Sequence, residues 1–328
     1  MSPVLPMLSA GCRGWQSAMD PMGTEAHELR ALIWVFIIVA AVVWVLVMLV
    51  LAAAIMRRHP PSSGPISPSG DSERRAAVAV SSAVVATVLV IAALTLESYL
   101  VTRQLYAGGA DPLVVRVRGY QWWWEITYDN AKPARVFTTA NEVHVPVGRQ
   151  VSIELAAADV IHSFWVPNLA GKQDLIPGRD NQIAFTASRA GTYRGQCAEF
   201  CGLQHAHMGL LVIAESPDEF TAWCNAQLKD ATVPDDAEQE SGEHVVTGKA
   251  CAACHTIRGT SAAGTLGPDL THLASRSFIA AGVLPMTRGS LAAWIADPQT
   301  IKPGNNMPMV ALTADELRAA SAYLASLK

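Results

Sequence analysis

Charge is scarce in this chain of 328 residues, because Asp, Glu, Lys and Arg together make up only 16% and the net charge is −4. No basic tract occurs, so the electrostatic signature of a nucleic-acid-binding protein is missing. Histidine is absent from the two long apolar segments, 31–56 and 76–98, which excludes a histidine-ligated metal centre within either of them. What is abundant is apolar sequence, at 51% of the chain.

The two apolar segments indicate a transmembrane hairpin over residues 24–105. Residues 31–56 and 76–96 carry no charge, and about 20 apolar residues are enough to cross a bilayer core. The loop between the helices, 57–75, has arginines at both ends, namely Arg57, Arg58, Arg74 and Arg75. Arginines flanking a short loop place it in the cytoplasm, so the N-terminus and everything after the second helix are predicted to lie on the outer face.

The N-terminal segment, 1–23, contains the sequence LSAGC at 8–12. Small residues before a cysteine resemble the processing site of a bacterial lipoprotein, and we hypothesise removal of residues 1–11 with lipidation of Cys12. The alternative is an ordinary N-terminal cysteine.

Residues 106–228 are rich in short β-type runs separated by Gly, Pro, Asn and Asp, which predicts an all-β sandwich or barrel. A helix follows at 217–228, with Ser216 as its N-cap and Glu219 completing a capping box. Cys224 shares the apolar face of this helix and is predicted to be packed in the core.

An acidic stretch, 229–243, has almost no large apolar side chains and predicts a linker. Residues 244–328 then form a small helical domain. Its last helix is predicted to begin after Thr313, with Glu316 three residues further on.

The motif CAACH at 251–255 is typical of covalent haem c attachment, with Cys251 and Cys254 binding the vinyl groups and His255 binding the iron. Half of a zinc site would look similar, but no second Cys/His pair follows. The second axial ligand is expected from the far end of the domain, where a methionine would suit electron transfer because a thioether opposite histidine raises the potential of the iron. Met307 is the preferred candidate, and the alternatives are Met309, Met286 and His272.

The stretch CAEFCGLQHAHM at 197–208 combines thiolate, imidazole and thioether, the ligand set that selects copper. Its two cysteines can bridge two copper ions if a second histidine completes the site. His162, in DVIHSFWVP, is the candidate for that histidine. A disulfide would leave the histidine and methionine without a role, a copper chaperone would need a thioredoxin-like fold, and zinc does not recruit methionine.

The chain from about residue 24 to its end resembles subunit II of the haem–copper cytochrome oxidases, in the form with a fused C-terminal haem c domain. The resemblance is carried by GYQWWW, DVIHSFWVPNLAGKQDLIPGR, CAEFCGLQHAHM, CAACH, GPDLTHLASR and WIADPQTIKPGNNMP. The implied fold is multidomain: a two-helix transmembrane hairpin, a cupredoxin-like all-β sandwich or barrel, and an all-α class I cytochrome c domain.

The resemblance also implies that the cysteine loop and the distant histidine form a binuclear copper centre, CuA. Both cysteines would bridge the ions, each histidine would bind one ion, and the methionine would be a weak ligand. The implied ligands are His162, Cys197, Glu199 (through its backbone carbonyl), Cys201, His205 and Met208. The carboxylate of Glu199 would further reach a magnesium or manganese ion at the contact with subunit I.

Trp122 matches the family's aromatic residue for electron input to the copper centre. Strand alternation puts Trp122 and Trp124 on one face and Trp123 on the other, and at least one of the three is expected to be exposed at an interface. Asp159 and Asp174 match acidic positions of the copper and interface network.

The implied function is that of the electron-input subunit of a proton-translocating cytochrome c oxidase in the bacterial inner membrane. Its partners would be the haem–copper subunit I, subunit III, the lipid bilayer, and a cytochrome c or an upstream cytochrome complex as donor. Glu73 is a candidate for the mouth of a proton channel, or a solvated loop charge. Two other functions stay open: the CuA-containing subunit of a nitric oxide reductase, and a stand-alone membrane electron carrier.

Overall fold

A computed structural model describes residues 14–57, 70–105, 111–129 and 136–328 of the chain. Cys12, the predicted lipidation site, and Arg58 lie outside these residues. The chain divides into two compact units, one formed by Met1–His27 with Gly108–Lys328 and the other by Glu28–Ala107. The first unit contains a β domain and a helical domain, and the second contains two long apolar helices.

The two long helices are α1 (Thr24–Met56) and α2 (Gly70–Leu105), and they contain both apolar segments predicted from the sequence. Each is longer than predicted, since α1 begins before residue 31 and α2 continues beyond residue 98. Both are long and apolar enough to cross a membrane. The hydroxyls of Thr87 and Thr95 donate to carbonyl oxygens four residues earlier, at 2.9 and 2.8 Å, so these polar groups are satisfied inside the apolar helix.

The β domain is a sandwich of two five-stranded sheets, ordered β3-β2-β1-β5-β8 and β4-β10-β9-β6-β7. Most neighbours are antiparallel, but β1 pairs with β5 and β4 pairs with β10 in parallel. This architecture confirms the cupredoxin-like fold predicted from the sequence. The strands are β1 (Leu113–Tyr120), β2 (Trp123–Tyr128), β3 (Phe137–Ala140), β4 (Glu142–Pro146), β5 (Gln150–Ala157), β6 (His162–Trp165), β7 (Lys172–Leu175), β8 (Asn181–Thr186), β9 (Gly191–Cys197) and β10 (Gly209–Glu215).

Alternating side chains of the strands form the core between the sheets. In β2, for example, Trp124, Ile126 and Tyr128 are fully buried, while the residues between them are not. This pattern is expected where one face of each sheet packs against the other sheet.

The helix after the last strand, α3 (Pro217–Gln227), begins as the sequence predicted. The side chain of Ser216 accepts from the Glu219 N–H, and the Glu219 carboxylate accepts from the Ser216 N–H, so the capping box is confirmed. Cys224 is buried, as expected of a core residue, and Trp223 beside it stacks on His144 at a centroid distance of 4.0 Å.

One asparagine of the β domain makes several of the hydrogen bonds that attach the segment preceding α1. The side-chain amide of Asn168 donates to the carbonyl oxygens of Gly14, Ser17 and Asp20, at 3.1, 3.1 and 2.8 Å. The backbone carbonyl oxygen of the same residue accepts from the Met22 N–H at 2.7 Å. Residues 14–22 therefore follow the surface of the β domain.

The helical domain begins with α4 (Ala237–Gly248), which contacts the C-terminal helix α8 (Ala314–Ser326). The predicted capping box of α8, formed by Thr313 and Glu316, is present. Between these helices lie α5 (Cys251–Cys254), β11 (Phe278–Ile279), β12 (Leu284–Pro285), α6 (Arg288–Ala296) and α7 (Pro298–Ile301).

The structure corrects the predicted linker over 229–243, because α4 begins within it at Ala237. The side chain of Asp236 accepts from the Gln239 N–H as an N-cap. The sequence of α4 lacks a stripe of large apolar side chains, because the helix contacts α8 through Gly242. A Cβ at Gly242 would overlap the carbonyl oxygen of Ala319, so only glycine allows this close contact.

We expect Gly242→Ala to destabilise the helical domain by about 1–3 kcal/mol, the usual cost of overpacking a close contact. Denaturant unfolding of the purified chain, followed by the haem Soret band, measures this loss. Gly248→Ala in the same helix is the matched control, because nothing lies within 4 Å of a Cβ at that position. Equal unfolding midpoints for the two variants would contradict the packing argument.

Candidate metal and haem sites

The ends of two neighbouring strands bring His162 and Cys197 together in the second sheet. Strand β6 begins at His162, β9 ends at Cys197, and the two strands pair antiparallel with Phe164 opposite Cys197. Both side chains are buried, with His162 at 0% and Cys197 at 2% exposure. The pairing of β6 with β9 therefore brings His162 close to Cys197, although the two residues are far apart in the sequence.

The loop after Cys197 folds back on its own first residue. The Cys197 N–H donates to the Met208 carbonyl oxygen at 2.9 Å, and the Ala198 N–H donates to the Ser163 carbonyl oxygen at 3.0 Å. A short 3-10 helix, His205–His207, then leads the chain back toward the sheet. The Cys201 side chain is thereby directed toward Cys197, and those of His205 and Met208 are directed toward Cys201.

The candidate metal ligands form a continuous chain of close contacts. The Cys197 and Cys201 sulfurs are 3.6 Å apart, and the Nδ1 atoms of His162 and His205 lie 3.9 Å from Cys197 Sγ and 3.6 Å from Cys201 Sγ, respectively. Met208 Sδ is 3.8 Å from Cys201 Sγ. The two histidines therefore stand at opposite ends of a central sulfur pair.

These distances fit metal binding and exclude a disulfide in this conformation, since a disulfide sulfur pair is about 2.05 Å apart. Metal–sulfur bonds of about 2.3 Å and metal–nitrogen bonds of about 2.0–2.1 Å place ligands of a shared ion about 3.3–3.8 Å apart. The close contact between the two sulfurs lowers the pKa of Cys197 and raises that of Cys201, which favours a thiolate at Cys197.

A carboxylate orients the histidine of the sheet. Asp159 Oδ1 lies 2.8 Å from His162 Nε2, so Nε2 carries the proton and Nδ1 is left facing the sulfur. This carboxylate–histidine arrangement is common behind metal ligands. The prediction that Asp159 belongs to the copper network is in keeping with this contact, whereas Asp174 lies on β7, opposite Ser163.

The sequence interpretation missed two supporting residues in the motif GYQWWW. Gly119 leaves room for the imidazole, because a Cβ there would lie 2.8 Å from Cδ2 of His162. The Gln121 side chain donates to the Cys201 carbonyl oxygen at 2.8 Å. The only available signal was that both residues precede the tryptophans in a motif already judged specific.

Glu199 lies on the exposed side of the loop. Its backbone carbonyl oxygen is 3.2 Å from Cys197 Sγ, close enough to act as a further ligand of a metal held there. Its side chain is exposed, as is the neighbouring Phe200 at 76%.

Trp122 is buried, at 7% exposure, between the two domains. Its indole Nε1–H donates to the Cys201 carbonyl oxygen at 2.9 Å. On its other side lies Gly304 of the helical domain, where a Cβ would be 3.6 Å from the indole ring.

Trp124 is fully buried and Trp123 is half-buried, stacked on Tyr120, so none of the three tryptophans is fully exposed.

Lys302, which the sequence interpretation missed, is 2% exposed beside this tryptophan. Its Nζ donates to the carbonyl oxygens of Trp122, His207 and Ala280, at 2.8, 2.8 and 2.9 Å. Burial lowers the pKa of Lys302 to about 7. Three acceptors at these distances are all satisfied only by the ammonium form, which has three N–H groups.

The CAACH motif forms the short helix α5 and the residue after it. His255 Nδ1 lies 2.7 Å from the Pro268 carbonyl oxygen and donates to it, so Nε2 remains available to an iron. Burial lowers the pKa of His255, which favours the neutral imidazole that metals bind. A Cβ at Gly267 would collide with the ring, so this glycine fixes its position.

A second observation fits a haem in this domain. Arg276 is buried at 7% exposure, and its Nε has no hydrogen-bond partner among the described residues. An unpaired buried N–H is costly unless a ligand accepts from it, and a haem carries acidic groups able to do so.

The residues around Met307 favour it as the second axial ligand. The loop is fixed because Gln299 Nε2 donates to the Met307 carbonyl oxygen at 3.0 Å and the Met307 N–H donates to Asn305 Oδ1 at 2.8 Å. Met309 is 62% exposed, and Met286 packs against the apolar core of the domain.

The rival histidine, His272, has both ring nitrogens next to main-chain carbonyl oxygens. Nδ1 lies 3.0 Å from the oxygen of Lys328 and Nε2 lies 3.1 Å from that of Lys229. These contacts give His272 a structural role and leave neither nitrogen facing a haem.

Fold and site together define a membrane-associated redox protein in which a cupredoxin-like domain is joined to a cytochrome c domain. Comparison with known families agrees. The profile for cytochrome c oxidase subunit II, periplasmic domain, matches residues 130–215, and that for cytochrome c matches residues 239–328. The first domain type suggests copper and the second suggests haem c.

Two relatives of known sequence point to the same family. Cytochrome c oxidase subunit 2 of Alkalihalophilus pseudofirmus is 39% identical over 67% of this chain and 63% of that protein. The protein of the same name from Branchiostoma floridae is 36% identical over 44% of this chain and 69% of its own. The solved periplasmic domain of cytochrome oxidase subunit II from Bradyrhizobium japonicum is 32% identical, with a TM-score of 0.34, over 37% of this chain and 95% of that one.

The chain belongs to the cytochrome c oxidase subunit 2 family. It spans 63% of the length of the first of these relatives.

We expect His162→Ala to abolish binding of the copper pair while leaving haem c in place, because one end of the ligand chain is lost. Asp159→Asn should weaken copper binding about 10–100-fold, as is usual when the partner of a ligating histidine is changed. Metal analysis with electron paramagnetic resonance measures both effects. His207→Ala in the same loop is the control, and equal copper loss in this variant would contradict the ligand assignment.

We expect Met307→Leu to lower the reduction potential of haem c, since a thioether opposite histidine raises it. Redox titration of the haem absorbance tests this, and the exposed Met309→Leu provides the matched control. A lowered potential in Met309→Leu alone would transfer the ligand role to that residue.

Proposed function

We propose that this chain is the electron-input subunit of a respiratory terminal oxidase, passing electrons from an external donor via covalent haem c and binuclear CuA to the haem–copper subunit I. The observation that carries the proposal is the position of Trp122. It lies between residues 197–208, here named the copper loop, and the helical domain that carries CAACH, within one compact unit. The names of the relatives add independent support.

Bound copper and haem c would supply one-electron transfer. The copper ligands would be His162, Cys197, Glu199 through its carbonyl, Cys201, His205 and Met208. The haem would be held by Cys251, Cys254, His255 and Met307. Trp122 would be the residue of electron input to the copper site.

The side chains of the site act mainly by fixing positions and excluding water. Cys197 and Cys201 are each 2% exposed and Met208 is fully buried. Asp159 holds the proton of His162 on Nε2, and the Trp122 indole fixes the Cys201 carbonyl. A rigid, dry ligand set needs little rearrangement when its charge changes, which suits electron transfer.

The contact with subunit I would lie on the exposed side of the copper loop. Glu199 has its carboxylate exposed there, as required of a residue that shares a magnesium or manganese ion with another subunit. Subunit III and a cytochrome c or upstream cytochrome complex would be further partners.

The chain would lie in the bacterial inner membrane, with the β and helical domains on the outer, periplasmic face. Arg57 at one end of the predicted loop, 57–75, and Arg74 and Arg75 at the other favour a cytoplasmic loop. Residues 14–22 are hydrogen-bonded to the β domain, so they would lie on the same side of the membrane as that domain. Glu73, in the first turn of α2, stays a candidate for the mouth of a proton channel.

The purified complex should consume oxygen, not nitric oxide, when a reduced cytochrome is supplied. Electrode measurements of both gases, on one preparation, decide between these acceptors. Nitric oxide consumption without oxygen consumption would identify a nitric oxide reductase subunit. Purification without a large haem-bearing subunit would indicate a stand-alone electron carrier.

A further inference from the structure

The helical domain covers Trp122 through the loop that follows α7. Gly304 lies against the indole, and Leu203 of the copper loop packs beside the same glycine. Trp122 is left 7% exposed. A soluble protein cannot reach an indole covered in this way, so the tryptophan faces the chain's own helical domain.

Lys302 connects the two domains at this point. Two of its three acceptors, the carbonyl oxygens of Trp122 and His207, belong to the β domain, and the third, that of Ala280, belongs to the helical domain. Burying an ammonium group is costly unless all its N–H groups find acceptors, and here all three do. Withdrawal of the helical domain would break this coordination, because Lys302 moves with that domain.

Further hydrogen bonds surround the lysine and define the same docked position. The Gly209 N–H donates to the Ala281 carbonyl oxygen at 3.0 Å, and the Ser277 N–H donates to Glu142 Oε1 at 2.6 Å. In addition, the Gln204 side chain donates to the Pro303 carbonyl oxygen at 2.8 Å. Each of these bonds joins the β domain to the helical domain.

We infer that Lys302 is a positioning residue that clamps the helical domain onto Trp122, making this tryptophan an internal relay rather than a docking site for an external protein. The inference rests on the proposed function in one respect only, namely that electrons cross this interface. An external donor would then bind the helical domain elsewhere.

The variant Lys302→Met tests the clamp, since methionine keeps an unbranched apolar chain and removes every N–H group. Hydrogen exchange of the full chain in its complex should show faster exchange at the Gly209 and Ser277 amides. The Gly267 amide, which donates to Cys254 within the helical domain, should keep its protection. Lys249→Met is the matched control, because the Lys249 ammonium contacts Glu316 and the Ala311 carbonyl, both within the helical domain.

Electron transfer is the second measurement. Flash reduction of haem c should give electron transfer to copper that is slowed at least about 10-fold in Lys302→Met, because small misplacements of reacting groups cost large factors in rate. The optical spectra of haem and copper should stay unchanged, which separates lost positioning from lost folding. Unchanged exchange at both amides together with an unchanged transfer rate would overturn the inference.

Oxidative footprinting of the unmodified complex needs no variant. Trp122 should resist oxidation, while Trp15, which is 52% exposed, should react. Equal reactivity of the two tryptophans would overturn the inference even if the complex reduces oxygen. Conversely, a protected Trp122 in a complex that does not consume oxygen would contradict the proposed function and leave the clamp standing.

Discussion

The carboxylate of Asp159 is the contact on which the arrangement of the copper-type site depends. One oxygen accepts from the Gln121 N–H at 2.7 Å and the other lies 2.8 Å from His162 Nε2. The first contact fixes the beginning of the tryptophan motif, and the second decides which imidazole nitrogen faces Cys197. Since the Gln121 and Trp122 side chains both donate to the Cys201 carbonyl oxygen, three separate stretches of sequence are held in one geometry.

Much of the site was predictable because its ligands follow local chemistry. The spacing of Cys197, Cys201, His205 and Met208 within one loop indicates a metal site before any fold is known. His162 was less obvious, and it was found through the need for a second imidazole together with its place in the motif DVIHSFWVP. The capping boxes at Ser216 and Thr313 were equally predictable, because an N-cap depends on residues within one turn.

The remainder depended on contacts that sequence patterns do not carry. Helix α4 was missed because it packs through Gly242, a residue that ordinarily counts against a helix. Lys302 lies 180 positions from Trp122 and stands in a Pro/Gly loop, where a lysine is normally solvated. The burial of Trp122 could not be predicted for the same reason, since its cover comes from another domain.

The turn between β11 and β12 meets the β domain with an unusual backbone. Ala280, Ala281 and Gly282 follow one another at φ values of 53°, 59° and 87°, and a left-handed conformation costs each alanine about 1–2 kcal/mol. Such conformations persist only where surrounding contacts determine them, and here the two alanine carbonyls accept from Lys302 and Gly209. The shape of this turn is therefore set by its neighbour as much as by its own residues. A cytochrome domain separated from the β domain would lose the Gly209 donor, and with it one of the contacts that hold this turn in its left-handed conformation.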